Sequence, residues 1–170
     1  MRKIGILSDT HGNVPPGVFT FFKECDEIWH AGDIGDFKVI TVLKSICPVR
    51  AVFGNIDGGI LRKEFPEDLS FYCEKVKVLI THIGGYPGHY PAKNLAALKQ
   101  EQPQLFICGH SHILKVMYDV KLKLLHLNPG AAGNSGWHNS ITLMRFQIRE
   151  DRIEELEIYD IPRSGRAANM

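Results

Sequence analysis

The chain has 170 residues, 44% of them hydrophobic and 23% charged, with a formal net charge of +1 when its eight histidines are neutral. That is the composition of one globular domain with a core of its own, and it offers neither the basic excess expected of a nucleic-acid binder nor an acidic solvating tail. Cys25, Cys47, Cys73 and Cys108 show no CxxC spacing and sit in or beside apolar stretches, which predicts reduced buried thiols and not a zinc ribbon. The apolar run behind Met1-Arg2-Lys3 is too short for a signal peptide, and no stretch has the length of a membrane span. A soluble, cytoplasmic protein is the expectation.

In chain order, residues 3–8 (KIGILS) form a β-rich run closed by Asp9. Pro15-Pro16 opens a helix through Val18, Phe19 and Phe22, since proline fits a first turn. Residues 27–31 (EIWHA) read as a short strand ending at Gly32-Asp33, and 37–46 have helical spacing with Pro48 beyond. Residues 49–53 (VRAVF) make a third strand, stopped by Gly54-Asn55. After Pro66, 69–73 and 75–82 lie too close together for an intervening helix and predict an antiparallel pair. Residues 94–102 read as helix and 104–109 as a buried strand; 113–120, 121–127, 140–148 and 151–161 are mostly strand. A single domain over 1–161 and a flexible tail over 162–170 are expected. The chain therefore begins βαβαβ and ends mostly β, which one or two sheets with helices packed outside would satisfy.

Polar residues follow the strand ends at Asp9, Asp33, Asn55, His82 and His110. In α/β sheets the carboxyl ends of parallel strands share one edge, where ligands collect. Adding His11 and His112, two residues from Asp9 and His110, makes seven donors: two carboxylates, one amide oxygen and four imidazoles. Seven exceed the four of a tetrahedral zinc site and suit two ions sharing a carboxylate. Mixed N/O donors without thiolate fit Mn²⁺, Zn²⁺, Ni²⁺, Fe²⁺ or Co²⁺. Gly32, Gly54 and Gly109 immediately precede candidate ligands, where a strand must stop sharply.

The ordered set SDTHG, AGDIGD, FGNID, THIGG and CGHSH resembles the calcineurin-like metallophosphoesterase family. The short length, the early THG and the late Asn128-Pro129-Gly130 resemble its small YfcE/MJ0936-type phosphodiesterase branch. The resemblance implies an α/β fold, a four-layer αββα sandwich of two mixed β-sheets flanked by helices. It implies that Asp9, His11 and His112 hold one divalent ion, that Asn55, His82 and His110 hold the other, and that Asp33 bridges them. Mn²⁺ is the first expectation for both. The implied activity is hydrolysis of a phosphodiester by a metal-bridging hydroxide, on a small phosphoester and not on nucleic acid. Alternatives are a phosphomonoesterase or nucleotidase and a Vps29-like non-catalytic scaffold. A homodimer is compatible with either.

One position departs from the broader family pattern, which often has histidine after GN. Ile56 stands there, and isoleucine cannot protonate a leaving group, a role commonly worth about 10²–10⁴ in rate. That favours diesters with good leaving groups. Asp33, Asn55, Asp57 and His89 form the expected catalytic set. Asp57 would hydrogen-bond a ligand imidazole, and His89, in the Gly/Pro-rich loop IGGYPGHY with Tyr86 and Tyr90, would replace the missing acid or else sit in a plain surface loop. His30 reads as a core histidine or a supporting partner of the site, His126 as structural. His138, beside Trp137, reads first as an exposed loop residue, and the NPGAAG turn (128–133) would bring backbone close to the ions.

Overall fold

A computed structural model describes residues 1–163. The elements are β1 (Arg2–Leu7), α1 (Gly17–Phe21), β2 (Glu27–His30), α2 (Phe37–Lys44), β3 (Val49–Ala51), α3 (Gly59–Glu64), β4 (Asp68–Cys73), β5 (Val76–Thr81), α4 (Ala92–Glu101), β6 (Leu105–Ile107), β7 (Leu114–Asp119), β8 (Leu124–Pro129), β9 (Ser140–Arg149) and β10 (Arg152–Pro162). The strands form two five-stranded sheets, ordered β10-β9-β1-β2-β3 and β4-β5-β6-β8-β7. Each is mixed. In the first, β1, β2 and β3 are parallel while β9 and β10 run antiparallel; in the second, β5, β6 and β8 are parallel between antiparallel β4 and β7.

Strand alternation sorts the side chains into layers. Ile4 and Ile6 of β1, Val78 and Ile80 of β5, and Leu105 and Ile107 of β6 turn inward and meet in one core between the sheets. Trp29, fully buried, ties that core together, with Phe71 of β4 and Phe146 of β9 edge-on at 5.0 and 6.0 Å between ring centroids. The opposite face of the first sheet packs Leu7 and Ile28 against Val18 of α1 and Val39, Ile40 and Leu43 of α2. The outer face of the second packs Leu79 and Phe106 against Leu98 of α4. Each fully buried Ile, Leu or Phe is worth roughly 1.5–3 kcal/mol, which is why the layers stay docked. The result is the expected αββα sandwich.

Two local readings change. A short helix, α3, follows Gly58 where the sequence shows no helical period; Leu61 is its buried residue. Pro162, placed in the tail by the sequence reading, still pairs with Ser140 in the last strand pair. The rest of that expected tail, 164–170, lies outside the described residues. No helix among the described residues is long and apolar enough to cross a membrane.

Candidate metal centre

The two parallel triads present their carboxyl ends to one rim. Backbone pairing continues past the strand ends: Ala31 N–H donates to Leu7 O, Asp9 N–H to Gly32 O (3.0 Å) and His11 N–H to Asp33 O (3.0 Å). In the second sheet Gly109 N–H donates to His82 O at 2.9 Å. Across the sheets, His110 N–H donates to Asp9 Oδ2 at 3.1 Å. These loops turn abruptly. Asp9, His11, Asp33, His110 and His112 all have left-handed φ, between +46° and +66°. Asp and His tolerate that region better than most residues, but it still costs about 1 kcal/mol each, and such strain concentrates at functional sites.

The candidate ligands separate into two groups, Asp9–His11–His112 and Asp33–His82–His110, with donor atoms in each group within 4.8 Å of one another. Asp33 faces both: its Oδ2 lies 3.8 Å from His11 Nε2 and its Oδ1 lies 3.2 Å from His82 Nε2. Asn55 Oδ1 lies 3.0 Å from the same His82 nitrogen. All seven predicted side chains therefore reach one rim. Glycines make room for them: a Cβ on Gly54 would collide with Asp33 Oδ1, and one on Gly109 with Ser8 Oγ and, at 2.9 Å, Asp9 Oδ2.

The donors fit cations. Asp9 Oδ1 and His11 Nε2 are buried and have no hydrogen-bond partner. His112 Nε2 lies 3.2 Å from that same Asp9 oxygen. Nitrogen and oxygen lone pairs converging without donors between them suit a divalent ion better than they suit each other. Burial raises the Asp33 carboxyl, but the His82 and Ile56 hydrogen bonds outweigh it and hold Asp33 below its ordinary range. Burial lowers His82, but its bonds to Asp33 and Ala31 and the Asp9 and Asp33 charges together more than reverse that and raise it. The neighbouring carboxylates thus favour a proton on the His82 nitrogen for which an ion would compete.

Supporting residues fix the geometry. His82 Nδ1–H donates to Ala31 O at 2.8 Å, which turns Nε2 to the rim. Asp57, expected to bond a ligand imidazole, does something else. Its carboxylate accepts the backbone N–H groups of Ile34 (3.0 Å), Gly35 (2.8 Å) and Gly54 (2.8 Å), clamping the loops that carry Asp33 and Asn55. The loop around 33–35 turns so that its N–H groups face inward, and Asp57 is the acceptor they find.

Asn128 supports the GHSH turn, donating to Gly109 O at 2.8 Å and accepting from Gly130 N–H at 2.9 Å. Its NPG motif was the signal, and the turn brings Gly133 N–H to Asp9 O at 3.0 Å. His138, read first as exposed, is half-buried. Its Nε2 lies 3.0 Å from Gly133 O and must donate, so its Nδ1 accepts, 3.1 Å from His112 Nδ1. This leaves His112 Nε2 aimed at Asp9. No sequence spacing links 112 to 138.

His89 is not brought in: its exposed ring packs on Tyr86 at 4.7 Å, and among the described residues it makes no hydrogen bond or ring contact with the seven. His30 is a core histidine. Gly32 N–H donates to its Nδ1 (3.2 Å), so its Nε2 donates to Thr10 Oγ1 (2.9 Å). Two cavities flank the clusters. One of about 340 Å³ reaches Asn55 and His82, and one of about 240 Å³ reaches His110.

A two-sheet αββα sandwich with paired metal-ligand clusters on one rim defines a metallophosphoesterase fold. The calcineurin-like phosphoesterase superfamily domain matches residues 2–151, and the chain belongs to that superfamily. A "Probable metallophosphoesterase" of Methanothermobacter thermautotrophicus is 33% identical over 138 residues, covering 75% of this chain and 76% of that protein. Phosphodiesterase MJ0936 of Methanocaldococcus jannaschii is 28% identical over 144 residues, covering 75% and 82%. Wild-type Vps29 from Entamoeba histolytica, complexed with Zn²⁺, has the same fold with a TM-score of 0.75 at 17% identity, covering 97% of this chain and 94% of that one.

Proposed function

We propose that the two clusters hold a pair of divalent ions, Mn²⁺ first, and that the chain hydrolyses a small phosphoester, a phosphodiester before a monoester. The observation that carries this is the buried pair Asp9 Oδ1 and His11 Nε2, unpartnered and facing His112. Asp9, His11 and His112 would hold one ion, Asn55, His82 and His110 the other, with Asp33 giving one oxygen to each. Bound there, divalent ions lower the pKa of water toward neutrality and offset charge on phosphoryl oxygens. The chain's own residues do the positioning. Asp57 fixes the Asp33 and Gly54 loops; His138 and Ala31 O orient His112 and His82. Ile56 is half-exposed beside Asn55 and supplies no proton, and His89 packs on Tyr86 without contacting the seven donors, so leaving groups that depart without protonation are favoured. This agrees with the YfcE/MJ0936-type branch, to which we assign the chain, and with a cytoplasmic single-domain enzyme over 1–161.

A second reading has support of its own, and the solved-structure likenesses lean toward it. Vps29 shares this fold, and one Vps29 is complexed with Zn²⁺, so a scaffold that keeps ions without turnover would carry the same clusters. Turnover separates the two. The test strips the protein with chelator, restores Mn²⁺, and compares an activated aryl phosphodiester with its monoester. Metal-restored hydrolysis favouring the diester is expected. Preference for the monoester would move the reading to a phosphomonoesterase. Bound ions with no turnover of either ester would point to a different phosphoester substrate, and no turnover with no ions bound would overturn the enzyme reading in favour of the scaffold.

A further inference from the structure

The smaller cavity opens beside His110 and runs away from the clusters, between the loop over 83–86 and the start of β7. Two of its polar groups have no polar partner among the described residues. Lys115, half-buried on β7, holds its Nζ 4.1 Å above the Tyr86 ring and makes no ion pair among the described residues. His126 of β8 lines the cavity's inner end, has no exposed surface, and neither of its ring nitrogens has a hydrogen-bond partner. Burial pushes this imidazole down to about 4, so at neutral pH it has one N–H to give and one lone pair to fill. A leucine would occupy the same place against Phe106 and Tyr90 without leaving buried polar atoms unpaired. Cations at the larger cavity are already engaged. Lys93 pairs with Glu67 and Asp68, and Arg62 lies over Phe53 and donates to Asp57 O. An ammonium with no ion pair among the described residues, beside the phosphoester site, and an unpaired buried imidazole in the cavity lining are features of a ligand seat.

We propose that this cavity seats the organic substituent of the phosphoester, and that the substituent carries a second anionic group, which Lys115 pairs while His126 meets a polar atom at the inner end. The inference rests on the phosphoester reading above. Tyr86 supplies the flat apolar wall, and Ile83, Pro91 and Ile113 the remaining apolar lining.

The test is calorimetric titration of the Mn²⁺-loaded protein with two diester mimics, methyl phenylphosphonate and its ring-carboxylated counterpart. The carboxylated mimic is expected to bind about 10-fold tighter, the scale of a charge-assisted hydrogen bond. Lys115→Met should erase that advantage and leave the uncarboxylated mimic unchanged. His126→Leu should weaken the carboxylated mimic while raising Tm, a combination that a purely structural histidine would not give. Equal binding of both mimics by the wild type, or an advantage that survives Lys115→Met, would overturn the seat and leave the phosphoester reading standing. Binding of neither mimic with ions in place would overturn both.

Discussion

Asp57 and His138 touch no substrate in the proposed reaction, yet the position of the ligands depends on them. Replacing Asp57 with alanine orphans three backbone N–H groups, those of Ile34, Gly35 and Gly54. Two of these, on Ile34 and Gly54, are buried; at about 1–3 kcal/mol for each buried donor left unpaired, Asp57→Ala should cost at least ~2 kcal/mol. Urea unfolding of the metal-free protein measures this, and an unchanged midpoint would show that the clamp contributes nothing. His138 acts on one cluster alone. His138→Leu removes the acceptor for His112 Nδ1–H and should weaken the Asp9–His11–His112 ion by about 10–100-fold, leaving the other ion near its original affinity. Asparagine at 138 keeps an acceptor close to the same place and should recover part of the loss. A Co²⁺ titration followed by absorbance resolves the two phases. Equal weakening of both, or no difference between leucine and asparagine, would contradict the assignment.

At the scale of elements, the strand ends matter more than the strands. Continued pairing beyond β1 and β2, and beyond β5 and β6, lets left-handed residues sit where a free loop would relax. The glycines before the ligands permit that approach. Gly109→Ala puts a Cβ against Ser8 and Asp9, so the GHSH turn must move while the sandwich core stays docked. Loss of ion binding with a far-UV spectrum unchanged is the expected result; retained affinity would mean the turn has slack that the packing does not suggest. The strand ends were legible because each apolar run stops at a polar residue, three times directly after a glycine. α3 was not, because Leu61 is its one buried residue and a single anchor leaves no period to read.

At the scale of the whole molecule, two buried neutral histidines set an acid limit. Burial pushes both His30 and His126 from an ordinary 6.5 down to about 4. Below 6.5 the unfolded chain takes up protons that the folded chain refuses, so stability rises with pH across this window and is lost as pH falls from 6.5 toward 4. A shift of that size corresponds to roughly 3 kcal/mol per histidine at full extent. Urea midpoints of the metal-free protein should fall through this range, and His126→Leu should flatten the fall by about half. A slope unchanged by that substitution would mean that His126 is not buried neutral.

Local pattern determined much of this protein. Alternation set the strands and which side chains face the core, and polar residues directly after the apolar runs marked the donors, three of them (Asp33, Asn55 and His110) preceded by glycine, because these are properties of neighbouring residues along one chain. Tertiary structure alone decided how the donors divide. Asp9 joins His112 from the other sheet, and Asp33 stands between the groups, because burial of two apolar sheet faces docks the β1–β3 and β5–β8 edges side by side. The same docking brought His138 to His112 and left His89 outside, since His138 is 26 residues from His112 and His89 only 7 from His82, and separation along the chain says nothing about distance once two sheets fold onto one another.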